Sequence, residues 1–172
     1  MRKVILYIAI SIDGYIARKN GDVDWLEGDG SAPQADNGYE AFYNQIDTII
    51  MGNSTYKQIK GWGEYPYKGT KGYVYTTQRE GANEDVTFTS QKPVELISQL
   101  KQEEGKDIWL VGGAEIIDAF IKDNLIDEYI LTIAPVILGE GIPLFKDKNL
   151  ETRLKLKEMR SFDGFIQSHY SV

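Results

Sequence analysis

The run 107-DIWLVGGAEIIDAFIKDN-124 does more than any other part of the chain to limit what it can fold into. Bulky apolar residues lead straight into two glycines. From Ala114 onward the apolar positions recur at helical spacing, with Ile116, Ile117, Phe120 and Ile121 on one face. A strand that feeds directly into an amphipathic helix is half of a βαβ unit, and such units make parallel sheets covered on both faces. The alternation recurs. Strands are expected at 3–10, 47–52, 72–77, 107–111 and 127–137, and helices at 36–46, 93–104 and 114–124. In the first of these helices Tyr39, Phe42, Tyr43 and Ile46 share a face, and the second starts at Pro93, which a first turn tolerates. Two more strands, 153–159 and 165–172, flank a turn at Asp163-Gly164 and read as a hairpin. The expected fold is α/β in three layers, α/β/α, with a mostly parallel mixed central sheet and a C-terminal antiparallel hairpin at one edge. At 172 residues the chain suits one domain, 1–172, long enough to bury a real core.

Composition removes several function classes. A formal net charge of −7 argues against the broad basic surface that nucleic-acid binding needs, while leaving room for a local positive pocket. With no cysteine there is no disulfide, thiolate nucleophile or cysteine-ligated metal. The single histidine, His169, reads as a polar residue on the last strand, so no metal site is expected and a Ser-His-Asp triad is disfavoured. The opening MRKVILYIAISIDG is basic and then apolar, like a secretory leader. Its apolar run is near the minimum length for one, and Asp13 follows without a small-residue cleavage site, so Val4–Ile10 reads instead as a buried strand. No segment approaches a membrane span, and the expected compartment is the cytoplasm.

Two adjacent glycines exceed what a strand-to-helix turn needs. Ligands of open α/β sheets bind beyond the carboxyl ends of the strands. The first turn of a helix offers free N–H groups and a partial positive charge, worth about 0.3–1 kcal/mol to an anion. Glycine lets that anion approach because no Cβ intervenes. The competing reading is a tight turn needing positive φ, and the pattern is not the G-x-G-x-x-G fingerprint. Two other strand ends carry similar chemistry. In 49-IIMGNSTY-56, Gly52 precedes Asn53, Ser54 and Thr55, which equally suit helix capping. In 75-YTTQR-79, Thr76 and Thr77 precede an amide and Arg79. Together these ends point to an extended ligand with several phosphates, such as a dinucleotide.

The succession of the first strand, 11-SIDGYIA-17, 51-MGNSTY-56, 111-VGGAEII-117 and 125-LIDEYILTIAPVILGEGIPLF-145 resembles the C-terminal reductase domain of bacterial riboflavin biosynthesis, within the dihydrofolate reductase-like superfamily. The resemblance spans nearly the whole chain, is most specific over 125–145, and is to the small stand-alone bacterial members. It implies a dihydrofolate reductase-like fold and NADPH as hydride donor. Carried over by position, it implies Ala9, Ile16 and Ala17 beside the nicotinamide and its ribose, with Asp13 in the loop leading there. Gly52, Ser54 and Thr55 would approach the phosphates or the adenosine half, and Thr76, Thr77 and Arg79 the adenine ribose and its 2′-phosphate. Val111, Gly112, Gly113 and Ala114 would hold the pyrophosphate, with Glu115 and Ile116 continuing along the ligand. The family often has arginine where this chain has Asn53, which leaves Arg79 to supply the charge for a 2′-phosphate. Glu115 would repel a pyrophosphate if turned inward, so its side chain is expected to face solvent or pair with a lysine.

Reduction of a C=N or C=O bond also needs a proton. Resemblance to dihydrofolate reductases implies a carboxylate on the first helix: Asp36, with Glu40 one turn on and Thr132 in contact with that carboxylate. Asp36 equally suits a helix N-cap and Glu40 a solvated face. The loop 20–38 is long for a compact domain, and its Trp25 would be either a lid over the nicotinamide or an anchor to the core. The implied activity is that of a 5-amino-6-(5-phosphoribosylamino)uracil reductase. Such a substrate wants a basic residue, for which Lys19, Lys57, Lys60 and Lys71 are candidates. The stretch 60-KGWGEYPYKGTKGY-73 would wall the substrate site or form a surface loop. Two other readings stand beside this one: a dihydrofolate or pterin reductase, and a dinucleotide-binding protein without turnover. The apolar block 134-APVILGEGIPLF-145, with the family's habit of pairing, implies a homodimer.

Overall fold

In the computed structural model, which describes residues 1–172, the alternation does build a sheet with parallel strands at its centre. The elements are β1 (Val4–Ile10), β2 (Tyr15–Ala17), α1 (Tyr39–Tyr43), β3 (Ile46–Gly52), α2 (Asn53–Gly61), β4 (Lys71–Tyr75), β5 (Gly81–Ala82), β6 (Val86–Thr89), α3 (Pro93–Gln102), β7 (Asp107–Gly112), α4 (Ala114–Lys122), β8 (Glu128–Ile133), β9 (Ile142–Pro143), β10 (Lys155–Phe162) and β11 (Phe165–Ser171). The nine-stranded sheet has the order β10-β11-β8-β1-β7-β3-β4-β6-β5. Its central run from β8 to β6 is parallel, and antiparallel strands close both edges. This is the dihydrofolate reductase-like α/β fold that the resemblance implied.

Strand alternation divides the core. Val4, Leu6 and Ile10 of β1 pack with Leu96, Ile97 and Leu100 of α3 and Ile116, Ile117 and Phe120 of α4. Ile5 faces the other side, with Phe42, Tyr56, Ile59, Tyr65 and Trp109. Both faces of β1 are thus covered, which is why its sequence is continuously apolar.

The elements depart from expectation in a few places. The helix foreseen over 36–46 is only α1, because Gly38 with φ +69° starts it late. The strand foreseen to 137 stops at Ile133, and the block after it folds back so that β9 pairs with β2 in a second, two-stranded sheet. Asp13 fixes that fold-back by accepting hydrogen bonds from the N–H groups of Leu138 and Gly139 at 3.1 and 2.7 Å. The short strands β2, β5, β6 and β9 lack the length for a readable period. The 60–73 stretch is a wall of the core rather than a loop alone, since Tyr65 and Tyr67 join the aromatic cluster around Trp109.

At the N-terminal end of the parallel strands, polar groups are densely paired. Arg2 is buried, donates to the carbonyls of Lys106 and Leu100 and to Thr48 Oγ1, and pairs with Asp47. Glu128, 5% exposed, meets Lys3 at 2.7 Å, Lys157 at 2.9 Å and His169 at 2.6 Å. Burial works against its charge, but these three donors win and hold its carboxyl down to about 2.

Candidate active site

At the opposite, C-terminal end of the strands, β3 and β7 each end in glycine and a helix starts at once. Gly52 is the N-cap of α2 and Gly113 that of α4, and neither helix has a side-chain cap. Asn53, Ser54 and Thr55 therefore do not cap, and the first-turn N–H groups of both helices are left for another partner. The two starts are neighbours, since a Cβ on Gly52 would lie 3.8 Å from the Gly113 nitrogen. The double glycine divides its labour. Gly112 has φ +135°, a conformation that side chains rarely adopt, so the turn itself demands it. Gly113 has φ −82° and ψ −163°, extended backbone open to any residue. What a side chain there would meet is Thr55 Oγ1, 3.2 Å from the added Cβ. Gly112 serves the chain, and Gly113 keeps the space between two helix N-termini clear.

That space is a cleft of about 920 Å³. Ile16, Ala17, Gly52, Ser54, Thr55, Thr76, Thr77, Val111, Gly112, Gly113, Ala114, Glu115 and Ile116, all foreseen from the sequence, line it. Ala9, Asp13 and Arg79 do not. Asp13 is occupied with the β9 fold-back, and the Arg79 guanidinium lies over the Phe88 ring, 3.6 Å from its centroid. Glu115 is turned outward and paired with Lys146, as its chemistry required. Asp22, in the loop expected to cover the nicotinamide side, and Gln78, the amide of 75-YTTQR-79, line it too; sequence reading missed Asn20, Gly21 and Val23, which form one rim with Asp22, and Gln58 and Ser90. The long loop signalled the rim; nothing in the sequence signalled Gln58 or Ser90.

The cleft's donors fit an extended phosphate-bearing ligand. Two residues that line it, Asn53 and Tyr75, each carry a buried polar atom, Oδ1 and the hydroxyl, with no partner in the chain. Burial pushes the Tyr75 phenol up, so it stays a donor. No lysine or arginine lines the cleft, so any phosphate there is met by helix N–H groups and hydroxyls.

A second hollow, of about 350 Å³, lies against the α1 side of the sheet, bordered by Tyr7, Asp36, Gly38, Phe42, Ile130, Glu158, Arg160 and Gln167. Asp36 borders it, exposed, with Oδ1 accepting from the Gly38 N–H at 2.7 Å. It is a turn former here and not the N-cap, which is Gly38. Thr132 is buried beside the hollow, but its Oγ1 accepts from Gln167 Nε2 at 2.8 Å; the foreseen contact with Asp36 is replaced by that bond. Glu40 is exposed and borders neither space.

Other candidates resolve more simply. Trp25 is 7% exposed and anchors its loop. Lys19 pairs with Glu140, Lys60 with Asp85 and Lys71 with Glu103, while Lys57 is exposed; none borders either space. No helix is long and apolar enough to cross a membrane.

The chain is similar to known proteins in sequence and in fold. The family model described as the RibD C-terminal domain matches residues 2–167. The uncharacterized protein YwjB of Bacillus subtilis is 44% identical, over 98% of this chain and 97% of its own. The crystal structure of a putative riboflavin biosynthesis protein from Shewanella sp. PV-4 superposes with a TM-score of 0.83 at 29% identity, covering 98% of both chains. A diaminohydroxyphosphoribosylaminopyrimidine deaminase/5-amino-6-(5-phosphoribosylamino)uracil reductase from Thermotoga maritima, 14% identical, shares the fold with a TM-score of 0.72 over 99% of this chain and 56% of that one.

Proposed function

This chain belongs to the RibD C-terminal domain family, and from that premise we propose that it is an NADPH-dependent reductase of a small heterocycle, acting in the manner of a 5-amino-6-(5-phosphoribosylamino)uracil reductase. One observation carries the reading: two uncapped helix starts meet at Gly52 and Gly113 in a cleft of dinucleotide size. NADPH, when bound, supplies the hydride. The chain's part is placement. The N–H groups at the starts of α2 and α4, with Thr55 between them, hold the diphosphate. Ser54, Thr76 and Thr77 serve the adenosine half, and Ile16 and Ala17 wall the nicotinamide end and keep water from it. The unpartnered Tyr75 hydroxyl and Asn53 amide find acceptors and donors on the same ligand.

A pterin reductase wants a buried carboxylate facing its ring, and Asp36 is exposed, so the pyrimidine reading is favoured. We place the protein in the cytoplasm and propose that it pairs as a homodimer. Ile137 and Phe145, exposed in the apolar block noted in the sequence, support pairing, and a sedimentation mass of one chain would count against it.

The test is NADPH oxidation, followed by absorbance, with the ribosylamino-pyrimidine phosphate and with dihydrofolate in parallel. Consumption with the first is expected. Consumption with dihydrofolate alone would replace the substrate. Tight NADPH binding without consumption by either would leave a dinucleotide-binding protein without turnover.

A further inference from the structure

We propose that the adenosine end of the cleft suits a ribose with a free 2′-hydroxyl, so that the protein takes NADH as well as NADPH, and that Glu80 is the residue that sets this balance. This rests on the reductase reading above and names which dinucleotides its cleft accepts. That end is formed where β4 and β6 stop side by side. The Thr76 N–H donates to the Thr89 carbonyl at 3.0 Å, and the residues just beyond the two strands, Thr76 to Gln78 on one and Ser90 on the other, line the cleft. Each strand end turns on a threonine: Thr76 Oγ1 accepts from the Gln78 N–H and Thr89 Oγ1 from the Gln91 N–H, both at 3.1 Å. Such turns fix the backbone locally, and with it the positions of Gln78 and Ser90.

Ser90 Oγ donates to Glu80 Oε1 at 2.9 Å. A serine hydroxyl has one proton, so a Ser90 that gives it to Glu80 shows the cleft only lone pairs. Lone pairs accept from a ribose hydroxyl and repel a phosphate oxygen. Behind Ser90 the carboxylate adds a negative charge, and Glu80 takes part in no ion pair within 4.0 Å that would neutralise it. In Rossmann-type dinucleotide sites a carboxylate accompanies the free 2′-hydroxyl and an arginine the 2′-phosphate. The chemistry behind that division does not depend on the fold.

Nothing lining this end supplies the opposite charge. Thr76, Thr77 and Gln78 are neutral and serve a hydroxyl or a phosphate alike, and Asn53, at the start of α2, brings a neutral amide. Lys92, two residues past Ser90, is exposed and does not border the cleft. Arg79 does not border it either; its guanidinium lies on the Phe88 ring, 3.6 Å from the centroid. It keeps its charge there and attracts a 2′-phosphate only from a distance, while Glu80, the next residue, repels one. Arg79 and Glu80 thus act against each other, and only Glu80 is hydrogen-bonded to a residue that lines the cleft.

The test is a fluorescence titration of the protein with NADPH and with NADH, at low salt and at about 0.5 M salt. Wild type should bind both, with affinities within about tenfold of each other. Glu80→Gln keeps an acceptor for Ser90 and removes the charge. It should tighten NADPH by about threefold to fivefold at low salt and shift NADH by less than about twofold, which also reports that the variant is folded. The gain should fade at high salt, as attraction and repulsion between exposed charges do and a change of shape does not. Glu80→Lys, which reverses the charge, should tighten NADPH further. The proposal is overturned if wild type binds NADPH but not NADH, if Glu80→Gln leaves the ratio of the two affinities unchanged, or if its shift in that ratio is as large at high salt. Failure of both cofactors to bind wild type would instead bring down the reductase reading, and this inference with it.

Discussion

The two ends of the parallel strands are built by opposite rules. At the N-terminal end, polar side chains are committed within the chain: Arg2 across β1, β3, α3 and β7, and Glu128 among Lys3, Lys157 and His169. At the C-terminal end, two helices start without side-chain caps and a buried amide oxygen and a phenol have no partner. Buried polar groups without partners are costly, and two such groups together with two uncapped helix starts in one cleft mark that end as the place that suits a ligand. The difference separates the roles assigned to the two ends: the paired end holds the sheet together, and the open end is where the proposed cofactor would bind.

Damage to the sealed end should therefore affect stability without touching binding. Glu128→Ala removes the shared partner of Lys3, Lys157 and His169, whose two lysines are half-exposed, and should destabilise the fold by about 1–2 kcal/mol in urea unfolding, with NADPH affinity unchanged. A parallel loss of affinity would break the distinction. The same carboxylate sets an acid limit. Its folded value of about 2 lies below its unfolded one, so its contribution is complete above the unfolded value and disappears as pH falls from about 5 toward 2. Thermal melts across that window should show a falling Tm in wild type and a shallower fall in Glu128→Ala.

Changes at the open end should do the reverse. Thr55→Val removes a hydroxyl that faces Gly113 and should cost about fivefold in NADPH affinity, with the unfolding midpoint unmoved. The smallest effect concerns Arg79, exposed and stacked on Phe88 outside the cation-free cleft. Arg79→Ala should weaken NADPH by about threefold and NADH not at all; an equal loss for both would show that the residue supports the cleft's shape and not the 2′-phosphate.

Much of the open end could be read in advance, and for a physical reason. Strand-glycine-helix junctions are local, so 49–56 and 111–117 declare both a turn and a space within a few residues. Parallel strands declare themselves by continuous apolar runs, and β1, β3 and β7 lie close to where those runs are. The second hollow was not readable. Arg160, Gln167, Tyr7 and Asn37 come from four separate segments, brought together by the pairing of β10 with β11, β11 with β8 and β8 with β1, and by the reach of Arg160 to the Asn37 carbonyl. Thr132 was singled out by position, but its partner Gln167 lies 35 residues away, across a register no local pattern encodes. The 36–46 helix was overestimated at both ends: Gly38 and the Asp36 turn hold 36–38 out of it, and Ile46, which keeps the helical spacing, begins β3.

The central claim is that Gly113 is kept bare for a ligand's phosphates, while Gly112 answers to the backbone. A fluorescence titration with NADPH of wild type and Gly113→Asp tests it most directly. Gly113 has an extended backbone that aspartate can adopt, so the variant should fold with a near-native melt, yet its carboxylate would stand between the two helix starts. Saturable binding by wild type that the variant has lost is the predicted result. Binding of equal strength in a folded Gly113→Asp would contradict the account and return the double glycine to a turn.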